Sequence, residues 1–209
     1  MSDTYERKQE RGTVKERYEW IHSWCDEATE NDLPRLLLIG DSICNGYQGE
    51  AREMLRGVAY VDYIASSYSL DNPFLSHLLT EMAKNSRYDL IFFNNGLHGY
   101  HLSARSYRSR YAKLLSKLLA TGARVIPVTT TSVYKNGKER LDTSWKKKCA
   151  ERNAAARELA EGHGLPVCDL HAVCEGIPYA HRSPDGFHYT GEGYRALAEE
   201  IVKTAKAVL

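Results

Sequence analysis

The chain has 209 residues, with 28 Lys and Arg against 27 Asp and Glu and a formal net charge of +1. Apolar residues make up 43% and charged residues 26%, the balance of a soluble domain long enough to bury its own core without staples. Near-neutral charge gives no pull toward nucleic acid, and no run approaches the roughly 20 apolar residues of a membrane span. Five cysteines, an odd number with no C-x-x-C pair, argue against a disulfide framework and a Cys-rich zinc site.

In chain order, residues 5 to about 30 read as a charged helix, with Val14, Tyr18, Ile21 and Trp24 at three- and four-residue spacings. Residues 1–33 are therefore expected as a helical extension packed on a domain spanning 34–209. The opening stretch is polar and lacks a signal-peptide core, so the chain as given reads as cytoplasmic. Pro34 clears the way for a strand from Arg35 to Ile39, apolar on both faces as a central parallel strand would be. A helix near 48–56 and a strand around Ala59 to Ile64 follow. Asp71-Asn72-Pro73 starts a helix that runs to about Lys84, with Phe74, Leu75, Leu78, Leu79 and Met82 as its apolar face.

Tyr88 to Phe93 is another buried strand, closing on Asn94-Asn95-Gly96. A helix from about Ser103 to Ala120 stops at Thr121-Gly122. Arg124 to Val128 is the fourth strand, followed by the polar Thr129 to Ser132 and an exposed loop at Lys135 to Lys138. A helix spans about Thr143 to Glu161, its Lys146-Lys147-Lys148 run reading as a solvated face. Leu165 to Asp169 reads as a short fifth strand, and the last helix runs from about Thr190 to Val208. Strand and helix alternate throughout, which argues for a three-layer α/β/α sandwich with a mostly parallel, five-stranded sheet.

Ligands of such sheets sit outside the carboxyl ends of the strands. The residues there are Gly40-Asp41-Ser42, then Ser66, Ser67 and Ser69, then Asn94 to His98, then the threonines 129–131. Taken locally, Ser42 suits a helix cap. Near the other end of the chain, Asp185 and His188 are three residues apart, a spacing that one helical-type turn brings within hydrogen-bond reach. A carboxylate on one imidazole nitrogen fixes the tautomer, and the other nitrogen can then take a proton from a serine hydroxyl. Cys44, two residues past Ser42, reads as a small buried filler.

Gly40-Asp41-Ser42 at the first strand's end, together with Asp185-Gly186-Phe187-His188, resembles the SGNH/GDSL hydrolase family over about residues 34–209. The resemblance implies that family's flavodoxin-like fold. It implies Ser42 as nucleophile, His188 as general base, Asp185 as its orienting acid and the Ser42 N–H as an oxyanion donor. Asp41 would organise the turn, and Asp41, Ser67, Tyr100 and His101 are candidates for the pocket. Two departures stand out. The family's glycine after the second strand is missing from Ala65-Ser66-Ser67-Tyr68-Ser69. Where the family carries Gly-x-Asn after the third strand, aligning Gly96 puts His98 at the asparagine. Either His98 or Asn95 is then the side-chain oxyanion donor, and the register favours His98.

The expected activity is that of a serine esterase acting through an acyl-enzyme on a small acyl ester such as acetyl, on a carbohydrate, with no cofactor or metal. A small-molecule or carbohydrate ester is the expected partner, with no nucleic acid and no membrane. The alternatives are a lipase, lysophospholipase or thioesterase of the same family, or a non-catalytic binding module on the same fold. A nucleotide site is disfavoured, because no G-x-G-x-x-G or G-x-x-x-x-G-K-[ST] follows the first strand.

Overall fold

Leu36 to Ile39 lie at the centre of the molecule. The computed structural model describes residues 14–209. The strands are β1 (Ile21–Trp24), β2 (Arg35–Gly40), β3 (Tyr60–Ser66), β4 (Leu90–Phe93) and β5 (Arg124–Pro127). The helices are α1 (Ser42–Met54), α2 (Pro73–Asn85), α3 (Ala104–Leu119), α4 (Thr143–Gly162), α5 (Leu170–Gly176) and α6 (Gly191–Lys206). The sheet order is β1-β3-β2-β4-β5. β2, β3, β4 and β5 are mutually parallel, and β1 pairs antiparallel on the edge of β3.

Every residue of β2 is buried because both faces of the sheet are covered. Successive side chains of a strand point to opposite faces. Leu36 and Leu38 accordingly join the core beneath α1 and α6, while Leu37 and Ile39 join the core beneath α2 and α3. β4 repeats the pattern, with Leu90 and Phe92 on the first side and Ile91 and Phe93 on the second. This is the three-layer α/β/α sandwich that the alternation of elements predicts, with a five-stranded, mostly parallel sheet.

Four elements differ from the expectation. The helix predicted over 5 to about 30 is not formed where the chain is described; residues 5–13 lie outside the described residues. Residues 21–24 are instead β1, with Ile21 opposite Ser66 and Trp24 opposite Tyr63. The three-residue spacing of Ile21 and Trp24 fits a helix turn, but the open edge of β3 supplies a backbone ladder that overrides so weak a period. The strand predicted at Leu165 to Asp169 shrinks to a single parallel bridge between Val128 and Cys168. Pro166 has no N–H to donate to a ladder beside β5, and the fifth strand of the sheet is β1, on the opposite edge. The helix predicted near 48–56 starts at Ser42. The stretch between Asp169 and Thr190, to which the sequence assigns no element, contains α5, which Asp169 caps through the Ala172 N–H.

At the N-terminal ends of the strands, Arg35 is 7% exposed and anchors the turn between β1 and β2. Its guanidinium donates to Asp62 Oδ1 at 2.8 Å and to the carbonyls of Asp26, Glu27 and Glu30. The Tyr88 hydroxyl donates to the other Asp62 oxygen at 2.7 Å. The buried pair is thus fully hydrogen-bonded at the edge of the sheet remote from the strand exits.

Candidate active site

β2 runs into α1 with no loop between them. Gly40 ends the strand, Asp41 caps the helix and Ser42 is its first residue. Gly40 passes so close to the first turn that a Cβ there would sit 2.4 Å from Cys44 Cβ, which is why the position needs glycine. Asp41 is 2% exposed. One carboxylate oxygen accepts from the Ile43 N–H at 3.0 Å and the other from the Leu97 N–H at 3.3 Å. Asp41 therefore joins the exits of β2 and β4 and makes the cap itself. Ser42, the local candidate for that cap, keeps its hydroxyl free for other work. Burial pushes the Cys44 thiol up to about 12, so it packs as a neutral filler.

The loop before α6 brings a carboxylate and an imidazole to that hydroxyl. His188 Nε2 lies 2.8 Å from Ser42 Oγ, and His188 Nδ1 lies 2.7 Å from Asp185 Oδ2. The second Asp185 oxygen accepts from the Phe187 N–H at 2.8 Å and the His188 N–H at 2.9 Å. Burial raises the Asp185 carboxyl, but the bonds from the His188 amide and ring and from Phe187 outweigh it and hold the group below the usual carboxylate range. Gly186 turns this loop at φ +83°, and a Cβ there would strike the Tyr134 carbonyl at 2.1 Å. Ser42 and His188, 146 positions apart in sequence, are brought together by packing of α6 on α1.

The exit of β4 separates the two side-chain donor candidates. Asn94 closes the turn, its carbonyl accepting from the Gly96 N–H and its amide donating to Val128 O and Thr130 Oγ1. Asn95 turns away from Ser42 and donates to the Tyr68 carbonyl at 3.0 Å. His98 borders the cavity that contains Ser42. Its Nδ1 lies 3.0 and 2.9 Å from the two carboxylate oxygens of Glu16, and its Nε2 is buried with no partner among the described residues.

That cavity has a volume of about 760 Å³. Tyr100 and His101 line it. His101 is held by Asp71 at 2.9 Å. Ser67 does not line it. The Ser67 hydroxyl accepts from the Trp20 N–H and donates to the Tyr18 carbonyl, pinning the segment before β1 to the exit of β3. Ser69, two residues on, reaches the cavity instead.

The sequence reading missed several residues of the site. Trp145 on α4 and Phe187 beside His188 form an aromatic wall with Tyr100, with ring centroids 5.0 Å apart for Tyr100–Trp145 and 5.4 Å for Trp145–Phe187. Lys148 leaves the solvated face expected of it. It lies over the Tyr100 ring, donates to the Leu102 carbonyl at 2.7 Å, and burial lowers its ammonium below the ordinary lysine value. Arg152, 2% exposed, donates to the carbonyls of Gly96 and Gly99 and packs on the Tyr107 ring. Tyr107 donates to the Asn95 carbonyl. Together Arg152 and Tyr107 fix the loop that carries His98. Nothing in the sequence marked these side chains: Tyr107, Trp145, Lys148 and Arg152 lie within helices and Phe187 in the loop before α6, and no local motif sets them apart. Glu16 lay in a segment misread as helix. Among the described residues, no group of three or more His, Cys, Asp or Glu is placed to hold a metal ion. No described helix is long and apolar enough to cross a membrane.

The family model described as the GDSL-like lipase/acylhydrolase family matches residues 38–196. No curated protein matches the chain. Among solved structures, an acetyl xylan esterase is 16% identical with a TM-score of 0.65, over 84% of this chain and 100% of that one. The M. smegmatis aryl esterase is 15% identical with a TM-score of 0.71, over 84% and 100%. A lipase/acylhydrolase from Enterococcus faecalis is 18% identical with a TM-score of 0.62, over 84% and 96%. At such identities the likeness is one of fold, and that fold is the α/β sandwich described above.

Proposed function

The chain belongs to the GDSL-like lipase/acylhydrolase family, and from that premise we propose that it is a serine esterase that removes a small acyl group, such as acetyl, from a carbohydrate. The observation that carries the reading is the continuous line from Asp185 through His188 to Ser42, at 2.7 and 2.8 Å. The Asp185 carboxylate holds the His188 Nδ1–H, which leaves the Nε2 lone pair aimed at the serine hydroxyl. His188 takes the Ser42 proton as Oγ attacks the ester carbonyl. Negative charge on the carbonyl oxygen is met by the Ser42 N–H, a backbone donor contributing roughly 10²–10³ in rate, beside His98 on the wall of the same cavity. His188 returns the proton to the departing alcohol, leaving an acyl group on Ser42. Water, deprotonated by the same imidazole, then releases the acid and restores the hydroxyl.

The choice of substrate rests on the walls of the cavity. Tyr100, Trp145 and Phe187 offer a broad apolar face with ring edges and faces suited to the C–H surface of a sugar, while Lys148, Asp142 and Glu19 supply polar partners at its rim. The similar acetyl xylan esterase structure supports the same direction. Treatment with a fluorophosphonate, followed by peptide mass spectrometry, tests the nucleophile. The expected result is an adduct on Ser42 that is lost in His188→Ala. A panel of p-nitrophenyl acetate, butyrate and octanoate and an acetylated oligosaccharide tests the substrate. Highest kcat/KM on the octanoate would sink the small-acyl reading in favour of a lipase.

A further inference from the structure

Helix α3 concentrates positive charge in a chain that is otherwise balanced. Its 16 residues include Arg105, Arg108, Arg110, Lys113 and Lys117 and no Asp or Glu, while the whole chain carries a net charge of +1. Arg110, Lys113 and Lys117 fall at i, i+3 and i+7, which a helix places along one face. All three line a groove of about 720 Å³ between α2 and α3. Lys84, from the last turn of α2, lines it as well.

The charges in this groove do not cancel. Its acids are Asp71 and Glu81, and both are committed elsewhere. Glu81 pairs with Lys84 at 3.2 Å. Asp71 accepts from the Ser69 hydroxyl through one oxygen, and His101 Nε2 lies 2.9 Å from the other. Arg108, on another face of α3, is paired with Glu158 at 2.7 Å. Among the described residues, no ion pair engages Arg110, Lys113 or Lys117. Their contacts are with hydroxyls: Arg110 Nε donates to Ser106 Oγ at 3.3 Å, and Lys117 Nζ donates to Ser76 Oγ at 2.9 Å. Such bonds hold the cations at the groove and leave their charge in place. Like charges three and four residues apart destabilise a helix, a cost that an anion lying along the stripe would relieve.

The groove starts at the edge of the catalytic cavity. Asp71 lines the groove, while Ser69 and His101, both bonded to Asp71, line the cavity that contains Ser42. The two hollows thus share one hydrogen-bonded cluster as a common wall. Because α2 follows β3 and α3 follows β4, both helices begin at the strand exits, and the groove descends from there toward Lys84 and Ala120. At about 1.5 Å of rise per residue, the three cations are spaced about 4.5 and 6 Å along the helix axis. That repeat is comparable with the length of one sugar ring.

We propose that the α2–α3 groove binds the anionic part of the substrate, an acidic glycan whose carboxylates lie against Arg110, Lys113 and Lys117 while its ester-bearing sugar occupies the Ser42 cavity. The proposal rests on the carbohydrate-esterase reading and adds that the carbohydrate is acidic. A single-stranded nucleic acid fits less well, because no Phe, Tyr or Trp lines the groove to stack its bases.

The test compares an acetylated oligogalacturonate with an acetylated xylooligosaccharide of the same length. At low salt the wild-type protein should show the higher kcat/KM on the acidic substrate. The triple variant Arg110→Gln, Lys113→Gln, Lys117→Gln should lower the acidic-to-neutral ratio of kcat/KM about tenfold, through KM and not kcat. Raising salt from about 0.05 to about 0.5 M should lower the same ratio in the wild type and leave it unmoved in the variant. The three side chains are exposed, so the fold should survive; a thermal melt checks this, and Lys113→Gln alone should shift the ratio in the same direction. A wild-type ratio of one, or a ratio that the variant leaves unchanged, would overturn the proposal. Calorimetric titration of Ser42→Ala with unacetylated oligogalacturonate separates the two readings. A wild-type Ser42 that takes the fluorophosphonate, with no oligogalacturonate bound, sinks only this inference. Binding that is lost in the triple variant, on a protein whose Ser42 is never labelled, sinks the esterase reading and upholds the groove as an acidic-glycan site. Tighter binding of single-stranded RNA or of phosphatidylglycerol vesicles, lost in the same variant, would overturn the assignment to a glycan.

Discussion

Asp185→Asn is the substitution whose outcome the geometry fixes most tightly. Asp185 Oδ1 accepts two backbone N–H groups, from Phe187 and His188, while Oδ2 accepts the His188 ring at 2.7 Å. In asparagine the carbonyl oxygen must keep the two amides, because an NH₂ there would face two donors. The NH₂ group is then turned toward His188 Nδ1, which has to present a lone pair. The ring proton moves to Nε2, 2.8 Å from Ser42 Oγ, where it blocks proton abstraction. A buried carboxylate lost in this way costs about 10⁴ in kcat. The Asp185 side chain is 45% exposed, so water relieves part of the mismatch and a loss of roughly 10³–10⁴ is expected here, or about 4–5.5 kcal/mol. The backbone bonds survive, so the melting temperature should move by less than about 4 °C. The assay is kcat on p-nitrophenyl acetate, run beside the rate of fluorophosphonate labelling and a thermal melt. A kcat within about tenfold of wild type, on protein that melts normally, would show that Asp185 does not set the His188 tautomer.

Gly40→Ala should force the β2 exit away from the first turn of α1, since the new Cβ meets Cys44 Cβ at 2.4 Å. Overpacking of this kind costs about 1–3 kcal/mol, read as a fall in melting temperature, and kcat should fall with it because Ser42 is two residues away; an unchanged kcat and melt would refute the contact. Arg35→Met leaves Asp62, which is fully buried, without its cation. Removing one partner of such a pair costs about 3–5 kcal/mol, or about 6–20 °C in melting temperature. The kcat of the folded fraction should be unchanged, because this cluster lies at the opposite ends of the strands. The depressed Asp185 carboxyl sets a third expectation. A group whose folded value is lowered stabilises the native state fully above its unfolded value of about 3.9, and that contribution is lost as pH falls toward the folded value. A ¹³C titration of Asp185 should therefore find its midpoint below about 3.9, and a midpoint above that would remove the bonds from His188 and Phe187 as its cause.

The sequence by itself determined whatever depends on a local period or a local turn. Leu36 to Ile39 could only be a strand covered on both faces, and the alternation of such runs with amphipathic helices left one class of fold. The Gly40-Asp41-Ser42 exit and the Asp185 to His188 spacing were legible because each is built within a few residues, where backbone geometry alone sets the distances. The tertiary structure decided what depends on surfaces meeting across the chain. Ile21 and Trp24 carry a spacing that a helix would accept, and only the open edge of β3 makes the segment a strand. Pro166 denied the expected fifth strand its ladder. The register favours His98 over Asn95 as a donor but leaves both open, and the packing of Arg152 and Tyr107 around their loop sends Asn95 to the Tyr68 carbonyl and His98 to the cavity wall. Glu16 reaches His98 across 82 residues of sequence. No periodicity records such a contact, because its energy comes from the alignment of two surfaces that exists only once the sheet has formed.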